Sequence, residues 1–344
     1  MKRIKELFTR LKRGPTEVIG LEVGPARVCG VRMRKGTNEV AVLAADVMRR
    51  SPAAQTASEG HPSLSAIEIP QRLRARYVCL ATPAESAVIR LLTFPGRAES
   101  GMDARIMESM GIESPENYRM SYKVLSEGHG RTDTRALAVA VPEQEAAAVT
   151  AMFATGLPAP FSLEVSCLAT MTAFLHGPGK KHQDGAVGVF DFAPTSCLLA
   201  FFQNDSLALI RRFDKGTNSI LDKVRETLGV DTETAEGILS DGSFDISNTI
   251  AEVMEPLIKQ LIISRDFVER RENCKIGKLY VSGGLAVSRN VQEQIRTTLD
   301  IEVATWSPFE AFAVAPSAVP DEWTGREWLF TAAVGACLGT FEET

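Results

Sequence analysis

Two strand–turn–strand segments carry the same small signature, and they constrain the fold of this chain more than any other feature. In EVIGLEVGPARVCGVRMR (residues 17–34) Glu22 stands three residues before Pro25. In AVGVFDFAPTSCLLAFF (residues 186–202) Asp191 stands three residues before Pro194, 169 positions after Glu22. Each segment places a carboxylate at a strand end beside a tight turn. The signature fits an internal duplication, or a coincidence of two acidic-x-x-Pro turns.

The remaining periodicity reads as mixed α/β. β-like runs are expected at 39–48, 76–82 and 86–94, and a helix over 101–113 with Met102, Ile106 and Met110 on one face. Strands at 119–126 and 135–141 and a helix from Pro142 to Thr155 follow. Around Pro158-Ala159-Pro160 the pattern restarts, with a helix over 164–175 and a soluble linker at 176–185. Beyond the second hairpin, helices are expected at 217–228, 231–240 and 249–271, a strand at 278–284 and a helix at 288–299. A last strand, IEVATW, precedes a closing small-residue helix at 328–340. Runs of strands meeting at hairpins exclude a simple alternating βαβ fold.

A chain of 344 residues fits one large or two medium domains. With 44% hydrophobic and 24% charged residues it has material for a core, which excludes a disordered chain or a small disulfide scaffold. Six cysteines without a CxxC or a Cys/His cluster give no support to a zinc site or redox pair. The four histidines read as surface loop residues. There is no apolar signal region and no apolar run long enough for a bilayer, so a cytoplasmic chain with reduced cysteines is expected. A net charge of −5 points away from nucleic acid. That charge is uneven: residues 1–13, MKRIKELFTRLKR, carry six basic groups and one acid, leaving an acidic body. Within this tip Ile4, Leu7, Phe8 and Leu11 follow helical spacing. The tip reads either as a solvated tail or as a short amphipathic helix that docks on an anionic membrane or in a partner's groove.

Three pieces in order resemble the nucleotide-binding fold shared by actin, heat-shock ATPases and sugar kinases. The hairpin IGLEVGPARVCGV is similar to that fold's first phosphate loop, VGVFDFAPTSCLLAF to its second, and KLYVSGGLAVSRNV to its adenosine loop. Within that superfamily the chain resembles the PilM family of type IV pilus assembly proteins over about residues 17–340. The resemblance extends to ATPAESAVIRLLTFPG, to MESMGIESPENYRMSYKVL and to LYVSGGLAVSRNVQEQIRTTLDIEVATWSPFEAF. It implies a two-lobed actin-like α/β fold with a duplicated mixed-sheet core and a small inserted subdomain. The implied divisions are a basic segment 1–15, the first lobe 16–83, an inserted subdomain 84–160, a return to the first lobe at 161–185, the second lobe 186–312 and a closing segment 313–344.

Such a site holds phosphates on backbone N–H groups of two hairpins and orients hydrated Mg²⁺ with a strand-end carboxylate. A Gly-Gly turn lets backbone lie flat on a nucleobase. The residues able to do this here are Glu22, Gly24, Asp191, Thr195, Gly283 and Gly284, with Asp191 reaching a metal through water. Glu236 aligns with a Glu of the PilM helix near the base. Asp191 also reads as a turn-capping carboxylate, and Gly283-Gly284 as a plain strand-to-helix turn. The sequence departs from the family's loops. Glu22-Val23-Gly24-Pro25-Ala26 stands where Asp-x-Gly and hydroxyl residues are usual, and Pro194 follows Asp191 in the second loop. Each proline removes a donor, and a hydrogen bond to a charged group contributes about 1.5–3 kcal/mol. Binding of ATP with Mg²⁺ is therefore expected to be weak and hydrolysis weak or absent.

The resemblance implies a scaffold at the cytoplasmic face of the inner membrane. It would recruit the cytoplasmic tail of a PilN-like bitopic protein through a groove beside residues 84–160, and other platform components are implied as further partners. Phe94, Met107, Tyr118, Tyr122 and Phe153 either line that groove or belong to the core. The alternatives are an active ATPase or small-molecule kinase of the same fold, and a filament-forming, membrane-tethered relative of the FtsA type. A type II secretion relative would continue into a membrane span, which is not expected here.

Overall fold

The computed structural model of the chain describes residues 14–25, 27–50, 57–58, 61–62, 67–97, 101–128, 132–153, 156–182, 185–241, 244–286 and 288–342. The tip residues Ile4, Leu7, Phe8 and Leu11 and the loop position Ala26 lie outside these.

In chain order the first elements are β1 (Glu17–Val23), β2 (Arg27–Lys35), β3 (Val40–Arg49), the short β4 (Ala57–Ser58) and β5 (His61–Pro62), and β6 (Tyr77–Thr82). Then come β7 (Val88–Pro95), α1 (Met102–Met110), β8 (Tyr118–Ser126), β9 (Asp133–Pro142), α2 (Glu143–Ala151), β10 (Ala159–Val165) and α3 (Ser166–His176). The second hairpin opens β11 (Ala186–Phe192), β12 (Cys197–Gln203) and β13 (Ser206–Phe213), followed by α4 (Thr217–Leu228), α5 (Thr232–Asp241) and α6 (Ser247–Glu272). The chain closes through β14 (Ile276–Gly283), α7 (Arg289–Leu299), β15 (Glu302–Thr305), β16 (Ala313–Val314) and α8 (Thr331–Glu342).

Two sheets repeat one topology. In the first, β3-β2-β1 is an antiparallel meander and β6 and β10 join in parallel beyond β1, with β16 added outside β3. In the second, β13-β12-β11 is the same meander, and β14 and β15 join in parallel beyond β11. Five strands in one order and one set of directions settle the choice left open by the two turns: the core is duplicated.

The contacts divide the chain into two compact units. One comprises Met1–Pro83, Ala147–Gly177 and Pro308–Thr344; the other comprises Ala84–Ala146 and Pro178–Ser307. In the first unit α8 is buried on all sides because its small residues admit close neighbours. A Cβ on Gly20 would stand 1.9 Å from the Ala333 carbonyl oxygen, and one on Gly335 would stand 1.8 Å from that of Ala169. Glycine therefore lets α8 lie flush on β1 and against α3. In the second unit Phe190, Phe192, Leu199 and Phe201 pack against Ile220 and Val224 of α4 and Met254, Leu257 and Leu261 of α6. The β12–β13 turn uses Asn204 (φ 47°) and Asp205 (φ 60°), the pair of positive angles that a two-residue hairpin requires.

A third sheet, β7-β9-β8, is built by residues 88–142. Met102, Ile106 and Met110 press α1 onto Phe94, Ala136, Ala138 and Ala140 of that sheet. A nine-residue helix is marginal alone. Three buried side chains at about 1.5–3 kcal/mol each are what hold it.

Three expectations are corrected. Residues 159–163 form strand β10 rather than a break before a helix, because β10 is the outer strand of its sheet and tolerates Pro160 there. Residues 176–185 are more than a solvated linker: Pro178–His182 form a 3₁₀ turn with Pro178 and Gly179 buried. Two histidines are likewise not loop residues without partners. His176 ends α3 and pairs with Glu342 at 2.7 Å, and His182 Nε2 lies 3.0 Å from the Tyr280 hydroxyl.

Candidate functional site

In the second unit, parallel pairing of β11 with β14 sets Asp191 opposite Ser282 and Phe192 opposite Gly283. Asp191 is 8% exposed, and its Oδ1 accepts the Ser282 hydroxyl at 2.6 Å. Burial pushes the Asp191 carboxyl above the usual carboxylate range, and the Ser282 hydrogen bond only partly opposes that. Such a carboxyl holds its proton more tightly than a solvated one. In its neutral form it is a poor partner for a hydrated cation.

The carbonyls of the second hairpin consume the donors around it. Phe192 O accepts from Gly284 N at 3.0 Å and from the Thr217 hydroxyl at 3.4 Å. Ala193 O accepts from Thr217 N at 3.0 Å, and Pro194 O accepts from Asn218 N at 2.9 Å. The first amides of α4, the usual place for an anion, are thus tied to the hairpin itself. Gly283 adopts φ +84°, and a Cβ there would lie 2.1 Å from Phe192 O, so only glycine fits this turn. Among the described residues, no backbone hydrogen bond engages the amides of Thr195 or Ser196, which leaves two donors at the hairpin tip. The exposed Thr195 donates its hydroxyl to Glu85 Oε1 at 2.8 Å.

In the first unit, Gly24 N donates to Arg27 O at 3.0 Å and Gly24 O accepts from Arg50 Nη1 at 3.0 Å. Both backbone groups of the candidate Gly24 are therefore engaged, the amide within the turn and the carbonyl by the Arg50 side chain beyond β3. Glu22 is half-buried and pairs in register with Cys29. Burial, with the nearby Glu22 charge adding to it, pushes the Cys29 thiol up to about 12.

The structure thus brings Asp191, Thr195, Gly283 and Gly284 to one end of the second sheet. Glu236 lies exposed on α5 of the same unit, and Glu22 and Gly24 belong to the hairpin of the first unit. Sequence reasoning missed Ser282, Thr217 and Glu85. Ser282 directly precedes the Gly-Gly turn, but only strand register sets it against Asp191. Among the described residues, no group of three or more His, Cys, Asp or Glu side chains is placed to hold a metal ion. None of the described helices is long and apolar enough to cross a membrane.

Residues 120–341 match the family model described as type IV pilus assembly protein PilM. Among solved structures the chain is similar to the PilM–PilN type IV pilus biogenesis complex, at 21% identity and a TM-score of 0.78 over 95% of this chain and 99% of that one. MreB 5 of Spiroplasma citri bound to AMPPNP gives 11% identity and a TM-score of 0.47 over 96% and 98% of the two chains. The ethanolamine utilization protein EutJ from Carboxydothermus hydrogenoformans gives 14% and 0.44 over 95% and 90%. No curated protein sequence matches the chain at a significant level. The family model covers well over half of the chain, including β11, Asp191 and the Gly283-Gly284 turn, and the similarity at 0.78 extends over both halves of the duplicated core. The chain therefore belongs to the PilM family of type IV pilus assembly proteins and has the actin-like α/β fold.

Proposed function

We propose that this protein is a scaffold of a type IV pilus assembly platform, with a degenerate nucleotide pocket, that docks the cytoplasmic tail of a PilN-like inner-membrane protein. Asp191 carries the scaffold reading. The carboxyl that would orient Mg²⁺ is buried, accepts the Ser282 hydroxyl, and holds its proton more tightly than a solvated carboxyl. The nearby amides of Thr217, Asn218 and Gly284 are satisfied internally, and Pro25 and Pro194 have none to offer. These residues do not fit a tightly held magnesium nucleotide, and no chemical step is assigned to one. In this reading Thr195, Gly283, Gly284, Glu236, Glu22 and Gly24 are remnants of the ancestral pocket, and residual ATP binding is weak.

Docking is supported by the family, by the PilM–PilN complex to which the chain is similar, and by a cleft in the first unit. That cleft, about 650 Å³, is lined by Ile67, Ile69, Arg74, Met152, Phe153 and Leu157. Leu157 is 74% exposed beside it, an apolar side chain left for a partner to cover. Of the other residues considered for a groove, Phe94 is core, Tyr118 is half-buried against that core, and Tyr122 is exposed and donates to Asp103. The inserted subdomain 84–160 would contribute the chain end of the cleft. The protein would then sit peripherally at the cytoplasmic face of the inner membrane, held by its partner and by the basic tip.

The test combines two measurements on the full chain. Calorimetric titration with ATP and Mg²⁺, together with phosphate release, is expected to show weak binding and negligible turnover. Capture by an immobilised PilN-like tail peptide is expected to be strong and to fall in Leu157→Asp. Robust Mg²⁺-dependent turnover abolished by Asp191→Ala would overturn the degenerate pocket. Undiminished capture by Leu157→Asp would overturn the placement of the tail.

A further inference from the structure

We infer that the second unit carries a strand-addition groove, beside the hairpin of Asp191, that takes an extended acidic peptide segment of a partner protein. β13 is the outer strand of the five-stranded sheet and β7 the outer strand of the three-stranded one. A cleft of about 570 Å³ opens along them, within the usual range of binding clefts of about 300–1,000 Å³. It is lined by Val88, Arg90, Ile210, Arg211, Phe213 and Gln260, among others.

The edge of β13 is not uniformly open. At its start, Arg135 Nη2 donates to Leu207 O at 2.6 Å and to Ala208 O at 3.1 Å, and Arg271 also donates to Ala208 O. Two guanidinium groups thus occupy the carbonyls that a neighbouring strand would need. From Ile210 to Phe213 the edge instead faces the cleft. An exposed strand edge is a template for pairing, and a short protected edge limits that pairing to one short segment. Gln260 leads along α6 to Ile263 and Phe267, which are 52% and 46% exposed. A peptide leaving the cleft therefore meets an apolar stripe.

Charge selects the occupant. Arg90, Arg211 and Arg212 line the cleft against Glu85 and Asp214, and Glu85 already receives the Thr195 hydroxyl. Among the described residues none of these three arginines makes an ion pair. This is a positive cleft on a chain whose net charge is −5, so it favours an acidic segment over a second copy of this chain. The groove lies in the other unit from the cleft assigned to the tail, and the two are tested separately.

The probe is a fluorescein-labelled octapeptide alternating valine and glutamate, titrated with the full chain and read by anisotropy. Saturable, salt-sensitive binding is expected. Arg90→Glu with Arg211→Glu, two surface changes, should weaken it by about tenfold or more. A peptide with alternate backbone amides methylated keeps its side chains and should lose binding. Amide exchange over 210–214 should slow when the unmodified peptide is added. The inference is overturned by absence of saturable binding, by equal affinity for a valine–lysine peptide, or by indifference to amide methylation. It is also overturned if sedimentation shows a dimer that the same double variant dissociates, which would make a second copy the occupant.

Discussion

Replacing Asp191 with asparagine separates a degenerate pocket from a working one. The side chain is 8% exposed, meets the Ser282 hydroxyl at 2.6 Å, and has its pKa raised above 3.8 by burial. A raised native pKa means that the folded state holds the proton more tightly than the unfolded one. The group therefore carries no ionisation penalty below about 3.8, and stability falls as pH rises from there to the native pKa, then levels off. Each unit of elevation amounts to about 1.4 kcal/mol at neutral pH. Asparagine keeps the shape and an oxygen for Ser282 but does not ionise. Asp191→Asn is thus expected to be more stable than the wild type at pH 8, by a margin that shrinks towards pH 4.5. Asp191→Ala removes the ionisation too, but leaves the Ser282 hydroxyl buried without an acceptor, a loss of about 1–3 kcal/mol. At pH 4.5 that loss should dominate and lower the Tm by about 2–4 °C per kcal/mol. Urea and thermal unfolding followed by far-UV circular dichroism across this pH range measure both. If Asp191→Asn is instead the less stable protein, and the gap widens with pH, the carboxylate is ionised and held by positive charge. The neutral-carboxyl argument is then refuted.

Gly283→Ala places a Cβ 2.1 Å from Phe192 O at φ +84°, and should destabilise the protein by about 3 kcal/mol or more in the same unfolding assay. The Cys29 and Cys337 thiols are pushed up by burial, Cys29 to about 12, so a thiol reagent at pH 8 should modify them only after urea is added. Deleting residues 1–13 should weaken co-sedimentation with anionic vesicles while leaving tail capture intact, and raised salt should mimic the deletion. Equal sedimentation of the truncated and full chains, without partner, would make the tip a plain tail.

Much of the fold was legible because it rests on local chemistry. The 102/106/110 spacing, the turn at Gly24-Pro25, and the helix over 217–228 are written in near neighbours along the chain. Where one residue type carries two meanings, the local signal failed. Proline at 160 reads as a breaker, yet an outer strand accepts it, and only the sheet order shows that β10 is outermost.

By itself the sequence determined the mixed α/β class, the two hairpins with their strand-end carboxylates, and the glycine turn that follows β14, since each depends on residue type within a few positions. The tertiary structure alone decided that the two hairpins seed sheets sharing one five-strand order, because parallel partners arrive from distant segments: β6 beside β1 and β14 beside β11. It also decided the chemistry of Asp191. A carboxylate's charge depends on its solvation and on the donor across the sheet. Ser282, 91 residues away, reaches it only through strand register.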